Sequence, residues 1–342
     1  MADLLKLNQL ELASGHPLSL ILPEGKLGMV LGAEGSGKGG LLRQISGIHP
    51  FATGEIFLQG HLIAREGRLP PPWERDIELV FRQAEFYPHL TVVENLLLVL
   101  QGQRIRGKRR YLLELLSEMG MAELANSYPL QLSGEERLYL QITRALVTKP
   151  VLLLLEEPLL DLQLEARYRL LDRLPQLMER FGCGVLLSTE VRDEGVYAVD
   201  LIGVMAGGAL LQWGPPQTLY LTPKDRYVAH YMGEGVLIKG VVHDEQRLDT
   251  ELGMVEHPTG FGLPTGTRLE LLIRPDDLVF DEKSRRRARV IQRSPRGGKT
   301  VYHLQLTPAL TIRRHFSNHL DNRIGGELRY RLDIRSMVLF KL

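Results

Sequence analysis

The chain has 342 residues, 44% of them apolar, which is enough for a sizeable core and too long for one ordinary core, so two domains are expected. Its net charge of +1 argues neither for nor against nucleic acid, and its one cysteine, Cys183, excludes an internal disulfide and fits a reducing compartment. The longest apolar runs, Leu96–Leu100 and Val151–Leu155, fall far short of the roughly 20 residues that span a bilayer.

Met1-Ala2-Asp3 has no basic region, and Lys6 and Glu11 interrupt the apolar residues, so no leader is expected. Residues 27–32 read as a short buried strand entering a Gly-rich turn, followed by a helix with Leu41, Leu42 and Ile45 at helical spacing. Strands are expected at Ile56–Leu58 and Ile77–Phe81. Val93 to Leu146 is mostly helical in pattern, broken near Gly107, Gly120 and Ser133-Gly134. Val151–Leu155 suits a central parallel strand covered on both faces. An amphipathic helix over 164–181 and strands at Gly184–Ser188 and Leu201–Met205 follow. Alternating strands and helices argue for an α/β sheet. Beyond Gly233 the texture changes to short β-like runs, Val236–Val242, Arg268–Ile273, Ala288–Gln292, Val301–Leu306, Leu310–Arg313 and Leu328–Leu332, which read as a small all-β domain.

Three motifs carry chemistry. Gly32-Ala33-Glu34-Gly35-Ser36-Gly37-Lys38-Gly39-Gly40 lies between a strand and a helix. Glycines let backbone N–H groups approach phosphates and a lysine reaches the terminal ones. The hydroxyl that would hold Mg²⁺ is replaced by Gly39. Leu132-Ser133-Gly134-Glu135-Glu136 opens a helix, and Glu156-Glu157-Pro158 closes the aliphatic strand. Two carboxylates at a strand end fit a metal-organising acid (Glu156) followed by a general base (Glu157), or else a pair of solvated acids.

Order and spacing change the weight of these alternatives. The loop, Tyr87-Pro88-His89-Leu90-Thr91-Val92-Val93-Glu94-Asn95, Tyr128 to Gly134, Arg144-Ala145-Leu146, Leu153 to Pro158 and Ala198 to Met205 resemble, in order and distance, the nucleotide-binding subunits of ABC transporters. Thr222-Pro223, Ala229, Met232-Gly233-Glu234-Gly235 and Leu271 to Asp277 resemble the import subunits with a C-terminal regulatory domain. The Gly233-Glu234-Gly235 join and short tail are most similar to the ferric-iron type. The resemblance implies a P-loop NTPase with a RecA-like core, an ABC domain over 1–232 with a helical subdomain at about 84–146, and a small C-terminal all-β, OB-like domain over 233–342. It implies ATP and Mg²⁺ as cofactors, the latter weakly held here. It also implies a membrane permease as partner, homodimer or heterodimer assembly, and a cytoplasmic site on the inner face of the membrane.

Against the family's pattern this chain departs repeatedly. No aromatic residue precedes Phe51 to stack on adenine, a contact worth on the order of 1–3 kcal/mol per base in nucleic-acid systems. Gly39 and Gly40 weaken the helix start by up to about 1 kcal/mol each relative to Ala. Arg82 stands where the family has a metal-contacting Gln, with Gln83 beside it expected to point elsewhere on the strand. Arg82 is expected either to pair with Glu156 or Glu157 in the metal's stead or to extend into solvent. Glu156 is one methylene longer than the family's Asp, whereas Glu157 matches the base. Glu135 and Glu136 replace Gly and Gln of the signature, and Ser133 with Glu136 is expected to form a capping box over donors the family offers to phosphate. Glu190 replaces the switch His, Val191 follows it, and Leu160-Asp161-Leu162-Gln163 replaces the usual loop. Two like charges about 4 Å apart repel by on the order of 4 kcal/mol at an effective dielectric of 20. Acids near the terminal phosphate therefore imply impaired hydrolysis.

The resemblance places Phe86 to Leu90 at the permease interface. The basic stretch Lys283 to Lys299, with Arg285, Arg286, Arg287, Arg289, Arg293 and Arg296, lacks interleaved aromatics and is expected to be a solvated strand face, with no nucleic acid bound. Cys183 is expected to be a small buried hydrophobe. The alternatives to an importer ATPase are a hydrolysis-deficient subunit paired with a competent homologue and, as the weakest, a nucleic-acid-associated protein.

Overall fold

The structure is a computed structural model. It describes residues 2–12, 15–83, 85–101, 106–192, 198–257, 260–296, 299–317, 323–334 and 336–342. The chain divides into two compact units, Met1–Pro216 and Gln217–Leu342.

The first unit begins with two antiparallel strands ahead of the earliest element expected from the sequence, β1 (Asp3–Glu11) and β2 (Pro17–Pro23). Their signal is alternation: Leu18, Leu20 and Leu22 are buried while Pro17, Ser19 and Ile21 face out. They join β4 (Glu55–Leu58) and β5 (His61–Arg65) in a four-stranded sheet of order β2-β1-β4-β5. The second sheet holds the functional elements. It contains β3 (Leu27–Leu31), β6 (Ile77–Val80), β7 (Leu152–Glu156), β8 (Gly184–Thr189), β9 (Leu201–Ala206) and β10 (Ala209–Gly214), in the order β10-β9-β3-β8-β7-β6. Five of these strands run parallel and β10 is antiparallel to β9.

Five consecutive buried residues in β3 and four buried leucines in β7 show why continuous aliphatic runs mark this sheet: both faces are covered. One of those covering elements is α1 (Lys38–Ser46), whose Leu41, Leu42 and Ile45 pack into the same cluster as Val30, Leu152 and Leu154. The remaining helices of this unit are α2 (Val92–Val99), α3 (Lys108–Glu118), α4 (Gly134–Leu146) and α5 (Leu164–Phe181). Among the described residues, no helix is long and apolar enough to cross a membrane.

In the second unit α6 (Pro216–Leu221, its first residue shared with the boundary) and α7 (Arg226–Met232) precede an all-β arrangement. One sheet runs β13-β12-β11-β14-β20, from β11 (Val236–Val242), β12 (Arg247–Thr250), β13 (Val255–Glu256), β14 (Arg268–Ile273) and β20 (Leu339–Lys341). The other runs β15-β19-β16-β17-β18, from β15 (Leu278–Phe280), β16 (Arg287–Arg296), β17 (Lys299–Thr307), β18 (Leu310–Ser317) and β19 (Glu327–Leu332). Both contribute to one core that includes Ile238, Leu271, Val290 and Tyr302. The basic stretch is part of β16 and its approach. Arg286 donates to the carbonyls of Leu252 and Met254, and Arg287 pairs with Glu327 at 2.8 Å. Arg285 and Arg289 are exposed, whereas the side chains of Arg296 and Lys299 lie outside the described residues.

Candidate nucleotide site

Side chains at the C-terminal ends of parallel strands share one edge of a sheet, which is where open α/β folds bind ligands. Here β3 runs into Gly32–Lys38, β6 into Phe81 and Arg82, β7 into Glu157, and β8 into Glu190. These segments enclose a cleft of ≈ 730 Å³. It is lined by Glu34, Gly35, Gly37, Lys38, Gly39, Gly40, Arg82, Glu156, Glu157 and Glu190 from the sequence expectation, and also by Arg43 and Gln83.

The loop is built to need its glycines. A Cβ on Gly32 would meet Ser36 Oγ at 2.3 Å and the Met205 carbonyl at 2.7 Å. Gly37 caps α1 at φ 96°, a left-handed conformation that costs other residues energy. Ser36 is buried, and its hydroxyl makes no hydrogen bond. Ala33 contributes its carbonyl, which accepts from Lys38 Nζ at 3.1 Å.

The charged groups of the cleft are turned on one another. Lys38 Nζ lies 2.8 Å from Glu157 Oε1, with side chains only 8% and 13% exposed. The other oxygen, Glu157 Oε2, accepts the backbone N–H of Glu190 at 3.1 Å. Glu157 itself sits at φ 53°, sparsely populated for a non-glycine residue, and its own N–H donates to the Ser188 carbonyl at 3.0 Å. Arg43 Nη2 lies 2.8 Å from Glu156 Oε1, and its guanidinium stands 6.0 Å from the centre of the Phe81 ring.

The expected role of Arg82 is corrected by its partner. It does not pair with Glu156 or Glu157, and its side chain is exposed, as the second alternative expected. It forms a fork with Asp161, at 3.0 and 3.1 Å. The hydrogen bonds from Arg82 hold the Asp161 carboxyl below the ordinary carboxylate range. Gln83 is a second correction. The expectation that it points away assumed a strand reaching Phe81, but β6 stops at Val80, strand alternation no longer applies, and both residues line the cleft.

Ser133, Gly134 and Glu135 do not line this cleft; they form the start of α4. The expected capping box is made. Ser133 N–H and Oγ donate to Glu136 Oε2 at 2.7 and 2.8 Å, while Glu136 N–H donates to Ser133 Oγ at 3.3 Å. Those bonds hold the Glu136 carboxyl below its ordinary range. Glu135 is held in a fork by Arg169 of α5, at 2.7 and 3.1 Å.

Sequence reasoning missed Arg43. Its signal was available: four residues after Gly39 on one helix, it shares that residue's face and so looks at the same strand end.

A family model described as ABC transporter matches residues 16–160. The ferric-iron import ATP-binding protein FbpC of Haemophilus influenzae is 32% identical over 243 residues, 70% of this chain and 69% of that protein. The sulfate/thiosulfate import ATP-binding protein CysA 2 of Chromobacterium violaceum is 33% identical over 264 residues, 76% and 70% of the two chains. The spermidine/putrescine import ATP-binding protein PotA of Thermotoga maritima is 32% identical over 277 residues, 78% and 73%. Among solved structures, cbiO1 from Clostridium perfringens, part of the cbiONQ ABC transporter complex, superposes with a TM-score of 0.58 at 21% identity, covering 64% of this chain and 91% of that one.

Proposed function

We propose, on the footing that this chain belongs to the ATP-binding subunits of ABC importers, that it docks on a membrane permease, takes a nucleotide at the Gly32–Lys38 loop and hydrolyses it poorly. The observation that carries this reading is the Lys38–Glu157 ion pair. One lysine cannot neutralise the base and reach a phosphate at once. If Lys38 turns to the phosphates, Glu157 loses its cation in a nearly closed site; removing one partner of a buried pair costs on the order of 3–5 kcal/mol. If it stays, the phosphates face Glu34 and Glu190 without it.

ATP fits the loop, where the N–H groups around Gly35 and Gly37, with Lys38, would hold its phosphates. Bound ATP supplies the phosphoanhydride whose cleavage drives transport in this family. Glu157 would orient the attacking water through whichever oxygen Lys38 and the Glu190 N–H leave it. Magnesium does not fit in the family's manner. Gly39 has no oxygen to give, Arg82 brings a cation to a ligand's place, and Glu156 Oε1 is already held by Arg43.

The start of α4 supports the same conclusion for assembly. In the family's head-to-tail dimer this helix end faces the partner's phosphate; here Glu136 fills it from within. That closure favours a second form of the reading, in which the chain pairs with a competent homologue and stabilises the permease complex. We take the functional boundary between the nucleotide-binding and C-terminal β domains at 232–233, and the membrane's inner face as the place of work. The cargo we favour is ferric iron, supported by the Gly233-Glu234-Gly235 join and by the similarity to FbpC. Uptake of labelled ferric iron, sulfate and spermidine in a strain lacking the gene tests this: loss confined to iron is expected, and loss of either other solute alone overturns it.

Phosphate release from ATP by the purified chain, with and without Mg²⁺, tests the main reading. Slow release, little changed by Mg²⁺ and lower still in Glu157→Gln, is expected. Brisk release abolished by Glu157→Gln would refute impaired hydrolysis.

A further inference from the structure

The two losses at the metal position fit one another in shape. Glu156 is longer than the family's acid, and its Oε1 lies 2.6 Å from where a Cβ on Gly39 would stand. The carboxylate tip thus fills the volume that a Ser or Thr side chain would need. A side chain at 39 could be admitted only by swinging Glu156 away, which breaks its contact with Arg43. The longer acid and the missing side chain are therefore one change.

What the acid reaches is a cation belonging to the chain itself. Arg43 approaches from the same face of α1 as Gly39, meets Glu156 Oε1 at 2.8 Å, and has the Phe81 ring beside it. Glu156 Oε2 is enclosed and makes no hydrogen bond, so Oε1 is the oxygen that Arg43 holds. A dication brought to Oε1 must expel a guanidinium at hydrogen-bond distance. Among the described residues, no three of His, Cys, Asp and Glu form a group able to hold a metal.

We infer that Arg43 supplies the positive charge a divalent cation would bring to the end of β7, so that the cleft takes a nucleoside di- or triphosphate free of metal. The inference rests on the nucleotide role proposed above. Arg43 lies four residues beyond Gly39 on the same helix, so it keeps a fixed cation at the strand end, without coordination geometry, whichever partner Lys38 takes.

The test is equilibrium titration of the full chain with mant-ATP, in Mg²⁺ and again in EDTA. Equal affinity in both is expected. Binding about tenfold weaker in EDTA would overturn the inference and leave the nucleotide reading standing. No binding in either would overturn both. As a second measurement, Mn²⁺ electron paramagnetic resonance with ADP present should detect no stoichiometric bound metal in the native chain. Arg43→Met, which frees Glu156, and the paired change Gly39→Thr with Glu156→Asp should each acquire it. A stoichiometric Mn²⁺ site in the native chain contradicts the inference, whatever the variants do.

Discussion

The strand-end cleft and the turn at residues 87–95 differ in where their polar groups point. In the turn, Asn95 is buried and fully engaged: its amide donates to the carbonyls of Tyr87, Leu90 and Thr91, and its Oδ1 accepts from Tyr87 N–H. That scaffold leaves Tyr87 57% exposed. Arg144 stiffens the adjoining segment by donating to the Glu85 carbonyl and lying over the Phe86 ring. In the cleft, Lys38 and Arg43 are paired with Glu157 and Glu156. One region is held by internal hydrogen bonds beside an exposed aromatic; the other is held by internal ion pairs. The difference teaches that one fold can hold its polar groups by internal hydrogen bonds in one region and by internal ion pairs in another.

The contrast is broken most severely through the cleft's buried pair. Lys38→Met should destabilise the fold by on the order of 3–5 kcal/mol, and adding Glu157→Gln should return most of it, as read by urea denaturation. Equal additive losses would mean the two residues are not coupled. A smaller effect of opposite functional character is expected from Asn95→Ala. Leaving buried carbonyls unpaired costs about 1–3 kcal/mol; co-purification with the permease should fall while mant-ATP affinity stays unchanged. Loss of nucleotide affinity there would show that the two regions are linked.

Smaller still is the α4 cap. Ser133→Ala should cost about 0.5–2 kcal/mol. Because the folded value of Glu136 is depressed, its contribution is fully present above the ordinary carboxylate range and is lost as pH falls through the lowered value. Stability curves of wild type and Glu136→Gln should therefore converge in acid; a constant gap would exclude a role for the charged form. The smallest effect concerns Cys183, whose thiol burial pushes up to about 11. It should react with a thiol reagent near neutral pH only on unfolding, as followed by absorbance, and rapid labelling of the native chain would contradict its burial.

Much of this was legible in the sequence for a physical reason. Continuous aliphatic runs such as Leu152–Leu155 have few other uses than a doubly covered strand, and the 164–181 helix was bounded by its amphipathic pattern. The glycine-rich loop and Glu157 were singled out through the resemblance, and the structure brings them to one cleft. What sequence did not yield was partner choice. Which carboxylate Arg82 takes depends on β6 ending at Val80, one residue short of the expected limit, and on Asp161 being within reach. Arg43 stood outside every motif, and only packing of α1 against β7 brings it to Glu156. The strands before Leu27 were not foreseen, although β2 carries an alternation that could have signalled it, and neither was the pairing of β1 with β4.

The inward pairing of charges is tested most directly by a structure determined with ATP and Mg²⁺ in excess. Arg43 should remain on Glu156, with no metal between Glu156 and the phosphates. A closed dimer with a metal seated on Glu156, Arg43 displaced and Lys38 moved wholly onto the phosphates would contradict it.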